Sequence, residues 1–411
     1  MTHAGTAEQL GAGALEWLLH TAQKTDDGLR WSNLPGGEYL DATYYRGTSG
    51  VVAALLEGYR HFGDDRYGEA ALSGARWLAS MVEGWEYPGV YVGLTGIAFT
   101  LKAVRDLLGD EEAGLAAGRA MERVRARLEG PEWEDDFDMM TGNGGIAMGA
   151  LHFGDRELAL RAAEPRLAGA IPTADGLTWR FLDSEWTYHH LSHGTLGNAY
   201  ALITTGHALG REDLFQAGLA GVADVVARNE AGPEGFLVPH TDPQRRPERT
   251  ARFNYGWCHG PAGDVHAFRL LAGITGDPAW SSLVDRCWHT ITTSGLPQRS
   301  YPGFWDNNGR CCGTASVLAV ANDRMVERGD GHDFGATLVA DLAERAVTDG
   351  EGTRWSNHEH RDERPDLAPQ IGWGHGSAGI VPELLRCARV MTGRDQAYAV
   401  RRMDQPEAVA A

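Results

Sequence analysis

Cysteine is scarce in this 411-residue chain, with five in all. An odd, small number at this length argues against a disulfide framework and for a reducing cytoplasm. Basic residues are in deficit, with 37 Lys and Arg against 56 Asp and Glu, a formal charge of −19. So acidic a surface repels nucleic-acid backbones and anionic membranes, so neither is expected as a partner; its plain use is solubility. No apolar run approaches the eighteen residues a membrane span needs. The polar N-terminus, Met1 to Gln9, lacks the basic-then-apolar order of a secretory signal. Hydrophobic residues make up 43% of the chain, enough for a sizeable core.

Three of the five cysteines fall in two short Gly-rich stretches, Asn254-Tyr-Gly-Trp-Cys-His-Gly-Pro-Ala-Gly263 and Arg310-Cys-Cys-Gly-Thr-Ala-Ser316. Thiolates are soft ligands that suit zinc. Both stretches are also copies of a repeat. Gly-x-x-Gly-like motifs begin at Gly47, Gly93, Gly142, Gly194, Gly260, Gly313 and Gly376, spaced 46, 49, 52, 66, 53 and 63 residues apart. Periods near fifty with variable padding signify a repeat architecture. After each motif an Ala-rich apolar run ends in Gly and a charged residue, from Gly63-Asp64 to Gly393-Arg394, at offsets of 16, 16, 12, 16, 16, 16 and 17. This predicts a helix that starts at the motif and closes on a left-handed Gly, with Asp free to cap the next helix.

Those next helices are amphipathic, as Leu72, Ala75, Leu78, Ala79 and Val82 illustrate. Similar stretches lie near 10–24, 110–128, 156–169, 211–229, 278–293 and 333–347. The N-terminal helix supplies the outer partner that the last repeat lacks. The expectation is one all-α domain over residues 1–411, an α/α toroid of seven inner and seven outer helices. Three loops begin alike, at Asp27-Gly-Leu-Arg-Trp31, Asp175-Gly-Leu-Thr-Trp179 and Glu351-Gly-Thr-Arg-Trp355, and are expected as short strands on the motif face. The longest loop, about 231–257, holds Pro233, Pro239, Pro243 and Pro247 with Arg245, Arg246, Arg249 and Arg252; it reads equally as a lid or peptide-binding edge and as a solvated loop.

The residue before each motif is Arg46, Val92, Thr141, His193, His259, Cys312 and His375. The last four sectors all offer His or Cys at one equivalent position, flanked by Cys258 and Cys311, a concentration that favours a site over capping.

At these residues the chain resembles the LanC family, the lanthionine synthetase cyclases. Trp257-Cys258-His259-Gly260 matches the family's Trp-Cys-x-Gly motif. Cys311-Cys312-Gly313 stands where the family has a Cys-His pair, a variant that implies a three-cysteine zinc site of Cys258, Cys311 and Cys312. His193-Gly-Thr-Leu-Gly197 matches the motif of an acid/base histidine, and Asp138 matches an Asp four residues ahead of a Gly-x-x-Gly. The implied activity is addition of a peptide Cys thiolate to dehydroalanine or dehydrobutyrine, with one zinc activating the thiol and His193 protonating the enolate. The implied substrate is a dehydrated precursor peptide, with dehydration by separate dehydratase or kinase–lyase enzymes. Two departures stand out. His259 occupies a place where the family often has Tyr, and Asn254 lies where an upstream Arg is usual, with Arg252 nearby. His259 and His375 are alternative third ligands to Cys312, and with Arg252 and Trp257 they are candidate pocket residues. Cys287 and Cys387 read as core residues. Glu134, Asp135 and Asp136 read as a solvated run beside Asp138, and His189 and His190 as loop surface. Competing functions are addition of an external thiol such as glutathione, a zinc-stabilised peptide-binding scaffold, and another toroid enzyme, a zinc prenyltransferase or a glycosidase.

Overall fold

The structure, a computed structural model, describes residues 2–39, 41–130, 136–181, 185–248, 250–359 and 365–402. Glu134, Asp135 and Arg249, named above, lie outside the described residues.

All seven predicted motif helices form: Thr48–Phe62, Leu94–Leu108, Asn143–His152, Thr195–Leu209, Pro261–Thr275, Thr314–Glu327 and Ser377–Met391. Each begins directly after the first Gly of its motif. Each is followed by a Gly at positive φ, between 65° and 72°, at Gly63, Gly109, Gly154, Gly210, Gly276, Gly329 and Gly393. The third is only ten residues long, which accounts for its short offset. Asp64, Asp110, Asp155 and Asp277 then accept a backbone N–H at the start of the next helix, replacing a bond the first turn lacks. Asp330 instead pairs with Arg324, and the helix after it starts later, at Asp333.

The amphipathic helices are His3–His20, Asp65–Met81, Glu111–Glu129, Arg156–Ala163 with a short continuation Pro165–Ala168, Glu212–Ala227, Pro278–Thr293 and Asp333–Arg345. The first starts about seven residues earlier than expected and ends about four earlier, because Thr2 caps it by accepting from Gly5 N and the chain turns into a hairpin at Gln23. In Asp65–Met81 the buried stripe runs through Tyr67, Ala71, Ala75 and Leu78, leaving Leu72 and Ala79 half-buried at its edge. Full burial of an aliphatic side chain such as Leu78 contributes about 1.5–3 kcal/mol. The motif helices are buried on every side along most of their length, as Thr48 to Gly58 shows.

The chain divides into two compact units. One comprises residues 1–86, 96–120 and 295–400. In it Thr48–Phe62 packs on Asp65–Met81 and Thr314–Glu327 on Asp333–Arg345, while Ser377–Met391 packs on the N-terminal helix His3–His20. The last repeat thus takes its outer partner from the start of the chain, as expected. The other unit comprises residues 87–95, 121–294 and 401–411. Asn143–His152, Thr195–Leu209 and Pro261–Thr275 are successive neighbours there, each backed by the amphipathic helix that follows it.

The three related loops are two-stranded hairpins, pairing Gln23–Thr25 with Gly28–Arg30, Ile171–Pro172 with Leu177–Thr178, and Val347–Asp349 with Gly352–Arg354. Each ends in a buried tryptophan, Trp31, Trp179 or Trp355, whose indole N–H donates to the carbonyl thirteen residues earlier, at Leu18, Arg166 or Leu342. The hairpins lean on amphipathic helices: the turn glycines Gly28, Gly176 and Gly352 lie against backbone oxygens of Ser73, Ala220 and Gly13. Their repeated sequence therefore serves to stop one amphipathic helix and seat the chain on the next.

Candidate metal centre and acid–base site

The loop before each motif folds back on the helix it starts. The N–H of the first helical residue donates to the carbonyl seven residues earlier in Thr48 to Asp41, Leu94 to Tyr87, Asn143 to Asp136, Thr314 to Asn307 and Ser377 to Gln370. The helix N-termini are thereby satisfied by their own loops. The first motif Gly is needed for this close approach: a Cβ on Gly47 would lie 1.9 Å from Asp41 O.

Neighbouring loops are then joined by backbone hydrogen bonds two or three residues ahead of the motifs. In one unit Gly374 N donates to Tyr45 O and Cys311 N to Gly374 O. In the other, Tyr91 N donates to Met140 O, Met139 N to Ser192 O, and Ser192 N to Cys258 O. This stitching brings successive residues just before the motifs side by side.

Cys258, Cys311 and Cys312 are buried, and their sulfurs lie within 4.8 Å of one another. Tetrahedral zinc with sulfur at about 2.3 Å sets its ligands roughly 3.8 Å apart, within that limit. The three thiols are free of disulfides. Neither His259 nor His375 belongs to the group. His375 stands beside it, with Nε2 3.5 Å from Cys312 Sγ and 3.5 Å from Tyr45 Oη. Burial works against charge on His375, but the Cys312 and Cys311 thiolates prevail and push its pKa up to about 10. Behind the pair, the fully buried Arg310 donates from Nε to Glu383 at 2.9 Å and stacks over Trp373.

His193 and Asp138 are brought together. His193 Nδ1 lies 2.5 Å from Asp138 Oδ2, and the His193 side chain is 26% exposed whereas that of Asp138 is fully buried. Asp138 Oδ1 accepts from Met140 N and Thr141 N at 2.6 and 2.7 Å. Burial disfavours the imidazolium, yet the charge and hydrogen bond of Asp138 outweigh it and hold the His193 pKa above its ordinary value. The His259 ring lies 5.7 Å from that of His193 and 4.0 Å from that of His240. Trp257 is fully buried and packs against Tyr91. Arg252 points elsewhere, pairing with Glu230 at a half-exposed position.

The structure corrects three readings. His189 and His190 are not loop surface but fully buried. His190 Nδ1 faces Asp264 at 2.8 Å and Nε2 donates to Pro239 O, while burial, first, and the neighbouring His190 push the His189 pKa down to about 3. Asp136 is not part of a solvated run, for its Oδ1 is buried. Tyr188, buried among His193, His240 and His259, was not singled out from the sequence. Its phenol accepts from Arg245 at 2.7 Å, and its backbone pairs with Thr241, so the Pro- and Arg-rich loop is anchored beside the acid–base pair. No sequence pattern marks Tyr188, whereas Asp136 shares its place six residues before a motif Gly with Asp41, Asn254 and Asn307. Cys287 and Cys387 are buried in the core, where desolvation pushes their thiols up, that of Cys387 to about 12.

A profile of the lanthionine synthetase C-like protein family matches residues 38–238 and 244–328. The chain belongs to that family. No curated protein sequence matches it. Among solved structures, nisin cyclase is similar over 98% of each chain, at 16% identity and a TM-score of 0.66. An unsaturated glucuronyl hydrolase specific for heparin is similar over 96% of this chain and 98% of its own, at 13% identity and a TM-score of 0.52. An inactive variant of an alpha-1,6-mannanase of Salegentibacter sp. HEL1_6 is similar over 95% and 99%, at 12% identity and a TM-score of 0.50. The fold class is all-α, the α/α toroid shared with nisin cyclase. Among the described residues no helix is long and apolar enough to cross a membrane.

Proposed function

We propose that the chain is a stand-alone, zinc-dependent lanthipeptide cyclase, one LanC-like domain over residues 1–411 that works in the cytoplasm. The observation that carries this reading is the group of three buried cysteine sulfurs within 4.8 Å in a member of the lanthionine synthetase C-like family. The fold alone supports it less, since hydrolases share it.

Cys258, Cys311 and Cys312 would hold the zinc, which supplies a fourth position where a substrate thiol is deprotonated near neutral pH. The peptide's sulfur forms a bond to the β-carbon of a dehydroalanine or dehydrobutyrine in the same chain. The π electrons move toward the neighbouring carbonyl, leaving an enolate. The thiol's proton passes to solvent, and His193, protonated from solvent, donates one from Nε2 to the α-carbon. Asp138 keeps Nδ1 protonated and aims the ring. The peptide reaches the enzyme already dehydrated by separate dehydratase or kinase–lyase partners.

Zinc content per chain tests this first. The wild type should hold about one ion, Cys258→Ser and Cys312→Ser should lose it, and His375→Ala should keep it. A dehydrated peptide should then lose its free thiol, at unchanged mass, only with the zinc-loaded protein. A wild type free of zinc after reducing, chelator-free purification refutes the thiol-activation mechanism.

A further inference from the structure

Four side chains form one line in the unit that holds His193. Asp136 Oδ2 lies 2.5 Å from Thr141 Oγ1, which lies 3.0 Å from Asp138 Oδ1. Asp138 Oδ2 in turn meets His193 Nδ1. Protons must be counted along this line. Thr141 has a single hydroxyl proton and can donate to one carboxylate. Two acid oxygens face it. With both acids ionised, one of the two contacts would set a hydroxyl lone pair against a carboxylate oxygen. Both become hydrogen bonds when one acid is protonated and donates to Thr141, which then donates to the other.

The remaining partners say which acid holds the proton. Asp138 accepts from two backbone N–H groups and faces an imidazole, so the charge belongs there. Asp136 has no such set. Its Oδ1 is buried without a hydrogen-bond partner among the described residues, a costly place for half of a carboxylate charge and a tolerable one for a neutral carbonyl. We propose that Asp136 rests as a neutral carboxylic acid and is a positioning residue of the acid–base site: it donates to Thr141, Thr141 donates to Asp138, and its ionisation sets a second negative charge behind His193. On ionisation the Asp136 O–H bond breaks, its proton passes to solvent, and the Thr141 hydroxyl serves one carboxylate at a time.

The electrostatics agree. Burial, first, and the Asp138 charge push the Asp136 carboxyl up to about 6. The groups facing it are Asp138, Thr141, Arg166 and His193, and His193 faces Tyr188, His259 and Phe181 as well. The loops that carry the line are fixed from behind. Asn198 donates to Phe137 O and Gly194 O while accepting from the fully buried Arg166.

Only the kinetic arm of the test rests on the proposed function. The His193 ring would be followed by NMR in the zinc-loaded full chain with 13C-labelled histidine, its signal assigned by its loss in His193→Asn. The wild type should titrate in two steps, the first inflection near the Asp136 value of about 6. Asp136→Asn should give one step with the midpoint lower by about one pH unit. Thr141→Val keeps both acids and should retain two steps, with the first inflection moved down, because the bridge makes two hydrogen bonds while Asp136 is neutral and only one once it is ionised. In kcat/KM against pH, the basic limb should move to lower pH in Asp136→Asn at unchanged zinc content. A single-step wild-type curve superimposable on that of Asp136→Asn overturns the proposal, as does a Thr141→Val curve identical to wild type. Two-step titration in a protein that cyclises no dehydrated peptide would leave the carboxyl pair standing and remove the cyclase reading.

Discussion

His193 meets Asp138 through Nδ1 alone, so its other nitrogen is the one that can reach a substrate. His193→Ala should therefore keep zinc and fold while cyclisation falls by about 10²–10⁴, measured as the rate of free-thiol loss from a dehydrated peptide. An unchanged rate would favour a scaffold over an enzyme. His189 has a different consequence. Its pKa of about 3 in the fold, against an ordinary 6.5, means that the unfolded chain binds a proton the folded chain refuses. That contribution to stability is intact above pH 6.5 and is lost as pH falls from there toward 3. In His189→Phe the loss between pH 6.5 and 4.5 should be shallower than in wild type, read from urea midpoints across that range. The three cysteines and His193 stand one or two residues before a repeating Gly, so spacing draws attention to them, whereas Asp138 and the three-cysteine ligand set are marked only by the resemblance to the LanC family. Asp136 escaped because one acid among several reads as a charge run, and nothing in a linear sequence reports that a carboxyl oxygen is buried. Tyr188 escaped because its partner, Arg245, arrives from a loop 57 residues away.

At the scale of the element, two kinds of glycine punctuate each repeat for opposite reasons. Gly47 has an extended backbone and is needed because the Asp41 carbonyl occupies the space of a side chain. Gly63 has open space around it and is needed only for its φ of 65°. Gly63→Ala should cost about 1 kcal/mol. Gly47→Ala should cost several kcal/mol, since the loop that satisfies the helix start must move. Chemical denaturation of the two variants checks the order, and equal costs would mean that the loop yields easily. The repeat arithmetic made these helices legible, because a helix start and stop leave marks of composition. Burial of the Asp65–Met81 stripe differed in detail, with Leu72 at the edge, since periodicity fixes a face only to within a residue. The hairpins were legible as strands, but not their seat on the amphipathic helices, which depends on neighbours remote in sequence.

At the scale of the whole molecule, zinc bound as proposed by residues from two motifs more than fifty positions apart would tie stability to the metal's concentration. Zinc at 100 times its Kd should stabilise the fold by about 2.7 kcal/mol. Chelation should lower the Tm of wild type and leave that of Cys258→Ser unmoved. A wild-type Tm indifferent to chelator would deny the three cysteines a structural metal. The pairing of His3–His20 with Ser377–Met391 has a further consequence, in time rather than space. His3–His20 is synthesised with the face that Ser377–Met391 covers still bare, and that partner is translated more than 350 residues later. At 5–20 residues per second that delay is roughly 20–70 s. During that interval the uncovered helix face is open to any chaperone that binds apolar helices, and it is closed only once Ser377–Met391 has been made.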